Sequence, residues 1–322
     1  LEPEPPPSGA AAAGLLEQVV LPLLGRLRDL QRSQGQRKPV LLLNGPVGAG
    51  KSTLGRQLVR LAPSHGLRLA VASIDDAYLP LPERFERLAG NPFGVTRVPP
   101  GSHDVDLLLD RIEAWRSGRL LRLPRFDKTL VAGQGDRSGD VEESADALVL
   151  EGWLMGCRSL GQAGLASSLE RLQDWNLSEA ERSWLPRWDR NLESYASLWG
   201  ISDGLWVLRP RDWTLPRRWR FQAEARQRRA GGGWLDTDQL ERLVRSSLHS
   251  LPPPLYQDPL VAQWGSERPA AGQVDASSGQ SLADTSADLP LLGVTQLDGR
   301  RRWEPLQLPP QLSLSSSSSA IG

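Results

Sequence analysis

The chain has 322 residues, 39% of them hydrophobic, enough for a sizeable core in one large or two modest domains. Its 38 basic residues balance 38 acidic ones, which argues against a broad nucleic-acid or membrane footprint. The single cysteine, Cys157, excludes an intrachain disulfide, and the early apolar stretch near residues 15–24 is interrupted by Glu17 and Gln18 and is too short to span a bilayer, so a reducing, cytoplasmic setting is expected.

Residues 1–9 are Pro-rich and expected to be flexible. From about residue 10 to residue 30, apolar side chains recur at helical spacing and predict a leading helix. The run Val40-Leu-Leu-Leu43 predicts a buried parallel strand over 39–44. It enters Gly45, Pro46, Val47, Gly48, Ala49, Gly50, Lys51, Ser52 and Thr53, which match the phosphate-binding pattern of Gly, four residues, then Gly-Lys-Ser. Residues 54–61 continue with helical spacing. Strand, glycine loop and helix are the context this pattern needs: backbone N–H groups wrap a phosphate, the helix N-terminus adds partial positive charge, Lys51 adds a full one, and Ser52 is placed to ligate Mg²⁺.

A second strand is expected over 67–74, ending at Asp75 and Asp76, followed by an amphipathic helix over 105–115. Another buried strand, 147–150, ends at Glu151. Helices carrying several tryptophans are expected over 166–200, then a strand over 204–208 and an Arg-rich helix over 217–229. A last helix, 236–248, is capped by Asp236 or Thr237. Strands alternating with helices predict an α/β fold with a doubly wound parallel sheet and ligands at the strand C-terminal ends. Beyond residue 266 Gly, Ser, Ala and Pro dominate, so 266–322 is read as a low-complexity, flexible tail whose deletion is expected to leave turnover unchanged.

Several polar groups fall where phosphoryl-transfer chemistry needs them. Asp75 and Asp76 follow a strand near the phosphate loop, where a carboxylate can orient an acceptor hydroxyl and take its proton. Glu151, at the end of an apolar strand, can hold Mg²⁺ directly or through water. Arg217, Arg218 and Arg220 lie on a helix that can close over phosphates. Residues 101–104, 124–128 and 135–137, read as polar, charged loops, supply His103, Asp104, Arg125, Lys128 and Arg137, offering cations for an anionic substrate and acids for its hydroxyls. Apart from Lys38, Lys51 and Lys128 every basic residue is Arg, which singles out Lys128 as a position where a compact ammonium is wanted. The histidines are scattered and no Cys/His cluster suggests zinc.

These blocks, in order, are the phosphate loop, Ser73-Ile-Asp-Asp-Ala-Tyr-Leu-Pro80, Gly101-Ser-His-Asp104, Pro124-Arg-Phe-Asp-Lys128, Gly135-Asp-Arg137, Leu150-Glu-Gly-Trp153, Asn191-Leu-Glu-Ser-Tyr195 and Arg218-Trp-Arg-Phe-Gln-Ala-Glu224. Together they resemble the phosphoribulokinase, uridine kinase and pantothenate kinase group of P-loop kinases. Within that group they are similar to the D-glycerate 3-kinases of plant, fungal and cyanobacterial type, over roughly residues 39–262. The resemblance implies a P-loop NTPase-like kinase domain over 10–265 with an Arg-rich helical lid at about 211–233. It implies ATP and Mg²⁺ (Ser52 and Glu151), with D-glycerate converted to 3-phosphoglycerate. By similarity, Asp75 is the base and Arg218 and Arg220 are lid residues. Asp104, Arg125, Lys128 and Arg137, with Asp76, Tyr78 and His103, belong to the acceptor site. Ala77 stands where the family has Phe and Phe126 where it has Tyr; neither change removes a charged group. The residues alone leave open another small alcohol acceptor (uridine, pantothenate or ribulose 5-phosphate) and a non-catalytic ATP-binding protein. Oligomeric state is not legible.

Overall fold

The computed structural model describes residues 14–33, 37–229, 231, 235–262 and 289–305. Its centre is a six-stranded sheet. The strands in chain order are β1 (Val40–Asn44), β2 (Leu69–Ser73), β5 (Ala147–Gly152), β6 (Gly204–Pro210), β7 (Leu291–Leu297) and β8 (Trp303–Pro305), and β3 (Leu121–Asp127) and β4 (Asp136–Glu143) form a separate antiparallel hairpin. The spatial order is β2-β5-β1-β6-β7-β8, and only the β7–β8 pair is antiparallel. The expected doubly wound α/β architecture is present.

The central strands are continuous apolar runs because both sheet faces are covered. Val40, Leu42, Leu148, Leu150, Leu205 and Val207 point into one core, closed by helices α4 (Val105–Arg116), α6 (Glu179–Asn191) and α7 (Ala196–Ile201). Alternate residues Leu41, Leu43, Val149, Trp206 and Leu208 point into the other. There they meet the leading helix α1 (Leu21–Ser33, preceded by a π turn at Leu16–Val20) and α2 (Lys51–Leu61). The remaining α-helices among the described residues are short α3 (Leu81–Arg87) and α5 (Gly161–Ser168), then α8 (Leu215–Arg229), α9 (Thr237–His249) and the short α10 (Pro253–Tyr256) and α11 (Asp258–Ala262). Asp236 caps α9 by accepting from the Gln239 N–H, as expected. Among the described residues no helix is long and apolar enough to cross a membrane.

Two expectations need correction. Of the segments 124–128 and 135–137, read as charged loops, residues 124–127 belong to β3 and 136–137 to β4, with Lys128 and Gly135 in the connection between them; Pro124 and a bulge between Pro124 and Phe126 break the alternation, and the outer strand is largely exposed and polar. The tail expectation fails for residues 291–305. β7 pairs with β6 from Leu205↔Leu291 to Pro210↔Leu297, and Trp206 Nε1 donates to Thr295 Oγ1 at 3.0 Å. A Cβ on Gly293 would stand 2.4 Å from the Trp206 ring, so the pairing needs glycine there. The flexible N-terminus expected over 1–9 and the rest of the expected tail (266–288 and 306–322) lie outside the described residues.

Candidate active site

β1 delivers the phosphate loop at its C-terminal end. The loop is anchored by Gly45 N–H donating to Gly152 O (3.0 Å) and Ala49 N–H donating to Pro46 O (3.2 Å). Gly50 is the N-cap of α2, and Gly48 has φ +75. A Cβ on Gly48 would lie 2.8 Å from both the Arg220 nitrogen and Trp219 Cβ, so α8 packs directly on the loop and only glycine fits both demands. Lys51 Nζ donates to Gly45 O (2.8 Å) and Pro46 O (3.2 Å) and stands 3.7 Å from Glu151. The first-turn N–H groups of α2 have no partner within the helix and face the space an anion would fill. The loop thus fits the phosphates of ATP.

Beside it a cavity of about 470 Å³ is lined by Ser52, Ser73, Asp76 and Glu151 among others. Burial raises the Glu151 carboxyl against the pull of Lys51, and raises Asp76 against the pull of Arg125. Hydroxyl and carboxylate oxygens suit a hard cation, which would offset that burial, so the donor set fits Mg²⁺.

Asp75 and Asp76 sit on a 3-10 turn, Ile74–Ala77, whose start is capped by Ser73 accepting from Asp75 N–H. A strand-like bridge between Tyr78 and His103 ties this turn to the Gly101–Asp104 segment. Asp104 N–H donates to Ala77 O (2.7 Å), and Leu79 N–H to Ser102 O (3.0 Å). Asp75 is the hub. It accepts from the Tyr78 hydroxyl (2.9 Å) and from Lys128 Nζ (3.2 Å), and His103 Nε2 stands 3.7 Å away. Burial would raise the Asp75 carboxyl, but Lys128, His103 and Tyr78 outweigh it and hold the group well below the ordinary carboxylate range.

The His103 tautomer follows from its other contact. The Tyr195 hydroxyl accepts from Gly101 N–H (3.0 Å) and lies 2.7 Å from His103 Nδ1. Its one proton, donated to Nδ1, together with the Asp75 carboxylate beside Nε2, favours the tautomer that carries its N–H on Nε2. Burial lowers the His103 pKa despite Asp75, so the ring is neutral near pH 7.

A second cavity, about 510 Å³, joins the phosphate loop to this hub. It is lined by Val47, Asp75, Tyr78, Lys128 and Arg220, with Arg97 and Val98 in the wall and α9 residues at one side. The remaining expected acceptor residues lie outside its lining. Arg125 pairs with Asp76 (3.3 Å) and Glu143 (3.5 Å). Arg137 pairs with Asp104 and donates to Tyr78 O (2.9 Å), and Asp104 also caps α4. These groups brace the turn from behind. Arg220 pairs with buried Glu224 at 2.7 Å and faces the cavity, whereas Arg218, two residues away in the helix, is exposed on the other side. Helical phase separates the two arginines expected in a lid. Ala77, where a larger residue was expected, is fully buried in the core, and Phe126 packs its ring under the Arg84 guanidinium at 4.9 Å. Sequence reasoning did not single out Arg97 or the role of Tyr195; Tyr195 had a signal in its motif, Arg97 none.

No family model matches the chain. An uncharacterized kinase of Schizosaccharomyces pombe is 29% identical over 238 residues, 70% of this chain and 84% of the relative. Among solved structures, D-glycerate 3-kinase from Cryptococcus neoformans superposes with a TM-score of 0.70 at 25% identity, covering 92% of this chain and 98% of that one. The YGR205w protein shares the fold, with a TM-score of 0.64 at 21% identity over 90% of this chain and 96% of that one. The chain is a small-molecule kinase of the P-loop type, and it resembles D-glycerate 3-kinase.

Proposed function

We propose that this protein transfers the γ-phosphoryl group of Mg-ATP to D-glycerate, giving 3-phosphoglycerate, with Asp75 as the base. The carrying observation is that Asp75, Val47 of the phosphate loop and Arg220 of the lid line one cavity, so base and phosphate site share one space. The name of the Cryptococcus neoformans relative supports the choice of acceptor.

In this reading the first-turn N–H groups of α2 and Lys51 bind the phosphates, with Lys51 leaving its loop carbonyls to do so. Ser52 and Glu151 would hold Mg²⁺, which supplies charge neutralisation on the phosphates. Asp75 accepts the hydrogen bond of the acceptor hydroxyl, orients its oxygen towards phosphorus, and takes the proton as the new P–O bond forms. A carboxylate held at low pKa is a weak base, so orientation is its larger contribution; phosphoryl transfer with a loose transition state needs little proton abstraction early. Arg220 stabilises charge on the moving phosphoryl group. A nucleoside acceptor lacks a stacking slot here: among the described residues Tyr78 is the one aromatic ring lining the cavity, and His103 already stacks on it at 4.6 Å.

The test is acceptor-dependent ADP release with Mg-ATP, comparing D-glycerate, uridine, pantothenate, ribulose 5-phosphate and no acceptor. Release with D-glycerate alone is expected. Release with another acceptor replaces the substrate. ATP binding without release for any acceptor contradicts the assignment. A cytoplasmic setting is part of the same proposal.

A further inference from the structure

Arg84 and Arg97 are buried beside the catalytic turn, at 0% and 6% exposure. Neither has a carboxylate within ion-pair distance among the described residues; main-chain carbonyls hold them instead. Arg84 donates to Leu79, Thr96, Gln134 and Gly135 oxygens, which uses its donors as a structural pin. Arg97 uses only Nη1, donating to Gly133 O (2.9 Å) and Gln134 O (2.6 Å). Its side chain also lines the cavity that contains Asp75 and Lys128. Its Nε and Nη2 make no hydrogen bond among the described residues and are not sealed from solvent, so this side of the fork is open to an anion.

The next residue adds a second observation. Val98 has φ +92, a conformation that a β-branched side chain adopts only under constraint, and it lines the same cavity. Backbone strain of this kind persists where surrounding structure over-determines it, and it clusters at ligand sites.

We propose that Arg97, assisted by Lys128, is the subsite for the carboxylate of a hydroxy-acid acceptor. A planar guanidinium can present two parallel donors to a carboxylate, which a lysine cannot. With the carboxylate held there, a hydroxyl of a short acid reaches Asp75 in the same cavity. The inference rests on the reading above that this cavity takes the acceptor, and it names the group that separates hydroxy acids from neutral alcohols.

The experiment measures KM for D-glycerate, for glycerol and for Mg-ATP on the full chain as wild type, Arg97→Gln, Arg97→Lys and Gln239→Glu. Wild type is expected to prefer D-glycerate over glycerol strongly. Arg97→Gln is expected to raise the D-glycerate KM about tenfold to a hundredfold, the range of a lost charge-assisted contact, with the ATP KM within about twofold and the preference over glycerol collapsed. Arg97→Lys is expected to fall between. Since Arg97 also holds two carbonyls, a variant that fails to fold leaves Gln239→Glu to decide. Gln239 is an exposed cavity residue at the third position of α9, where an acid favours the cap, so this variant is expected to fold while offering Arg97 a competing carboxylate. An unchanged D-glycerate KM in Arg97→Gln, or in Gln239→Glu if the former does not fold, overturns the subsite. Wild-type use of a different anionic alcohol with the same Arg97→Gln penalty would remove glycerate and keep the subsite.

Discussion

At the scale of single residues, the site is a carboxylate whose neighbours decide its behaviour. Asp75 is held by Tyr78, Lys128 and a neutral His103 whose tautomer is set by Tyr195. Asp75→Asn is expected to lower kcat by about 10²–10⁴ while ATP affinity, measured by titration, stays within about twofold. Equal loss of ATP binding would show that Asp75 serves the nucleotide instead. Tyr195→Phe removes the donor to Nδ1 and frees the other tautomer, so kcat is expected to fall with the ATP KM unchanged; an unchanged kcat would contradict the positioning role. The pH profile follows the sign of the shifts. Because Asp75 titrates well below the ordinary range, wild-type kcat has no acid limb from this group between about pH 5 and 8. Lys128→Met removes the largest cause that opposes burial, so the Asp75 pKa rises and an acid limb moves up in pH. A profile identical to wild type would show that Lys128 does not tune Asp75. Most of this hub was legible in the sequence because Asp75, His103 and Lys128 belong to ordered motifs. Arg97 was not, since an arginine in a short loop carries no periodicity, and what singles it out is burial without a counter-ion among the described residues. The pairing of Arg125 and Arg137 with acids behind the turn was equally invisible, because a sequence shows charges but not which of them neutralise each other.

At the scale of elements, strands β1, β2 and β5 were readable as buried apolar runs, and α2, α4 and α9 from their helical spacing. β7 was not, because Leu291-Leu-Gly-Val-Thr-Gln-Leu297 follows a long stretch rich in Gly, Ser and Ala that resembles a linker. Its partner is β6, about ninety residues earlier, and only the sheet reveals it. Truncation after residue 288 is therefore expected to destabilise the protein by on the order of 5 kcal/mol, since Val294, Leu297 and the Trp206 contact are lost together. A truncated chain with wild-type melting temperature would contradict that. A second element-level device joins α6 to α9. Glu181 is 3% exposed at its side chain, completes a capping box with Ser178, and pairs with Arg245 and His249. Burial pushes its carboxyl up, but Arg245, the Ser178 N–H and His249 outweigh it and bring the pKa down to about 2. A depressed carboxylate stabilises the fold above its unfolded value near 4.5, and this contribution disappears as pH falls through about 2. Its size is about 3 kcal/mol. Glu181→Gln is expected to flatten the acid limb of stability in that window, read by denaturant titration at several pH values; an unchanged limb would place the acid sensitivity elsewhere.

At the scale of the whole molecule, two apolar cores on opposite faces of one sheet hold the C-terminal ends of β1, β2 and β5 together, and those ends carry Lys51, Asp75 and Glu151. α8 packs on Gly48, and Trp219, buried in the second core, donates from Nε1 to Gly299 O at 3.4 Å. α8, the helix expected to act as a lid, is thereby tied to the β7–β8 turn as well as to the phosphate loop. The central claim is that this assembly phosphorylates D-glycerate through Asp75. The most direct test is phosphorus NMR of wild type and Asp75→Asn incubated with Mg-ATP and D-glycerate. The account predicts 3-phosphoglycerate from wild type and almost none from a variant that still binds ATP. Absence of any phosphoglycerate from folded, ATP-binding wild type, or an equal rate from the variant, would contradict it.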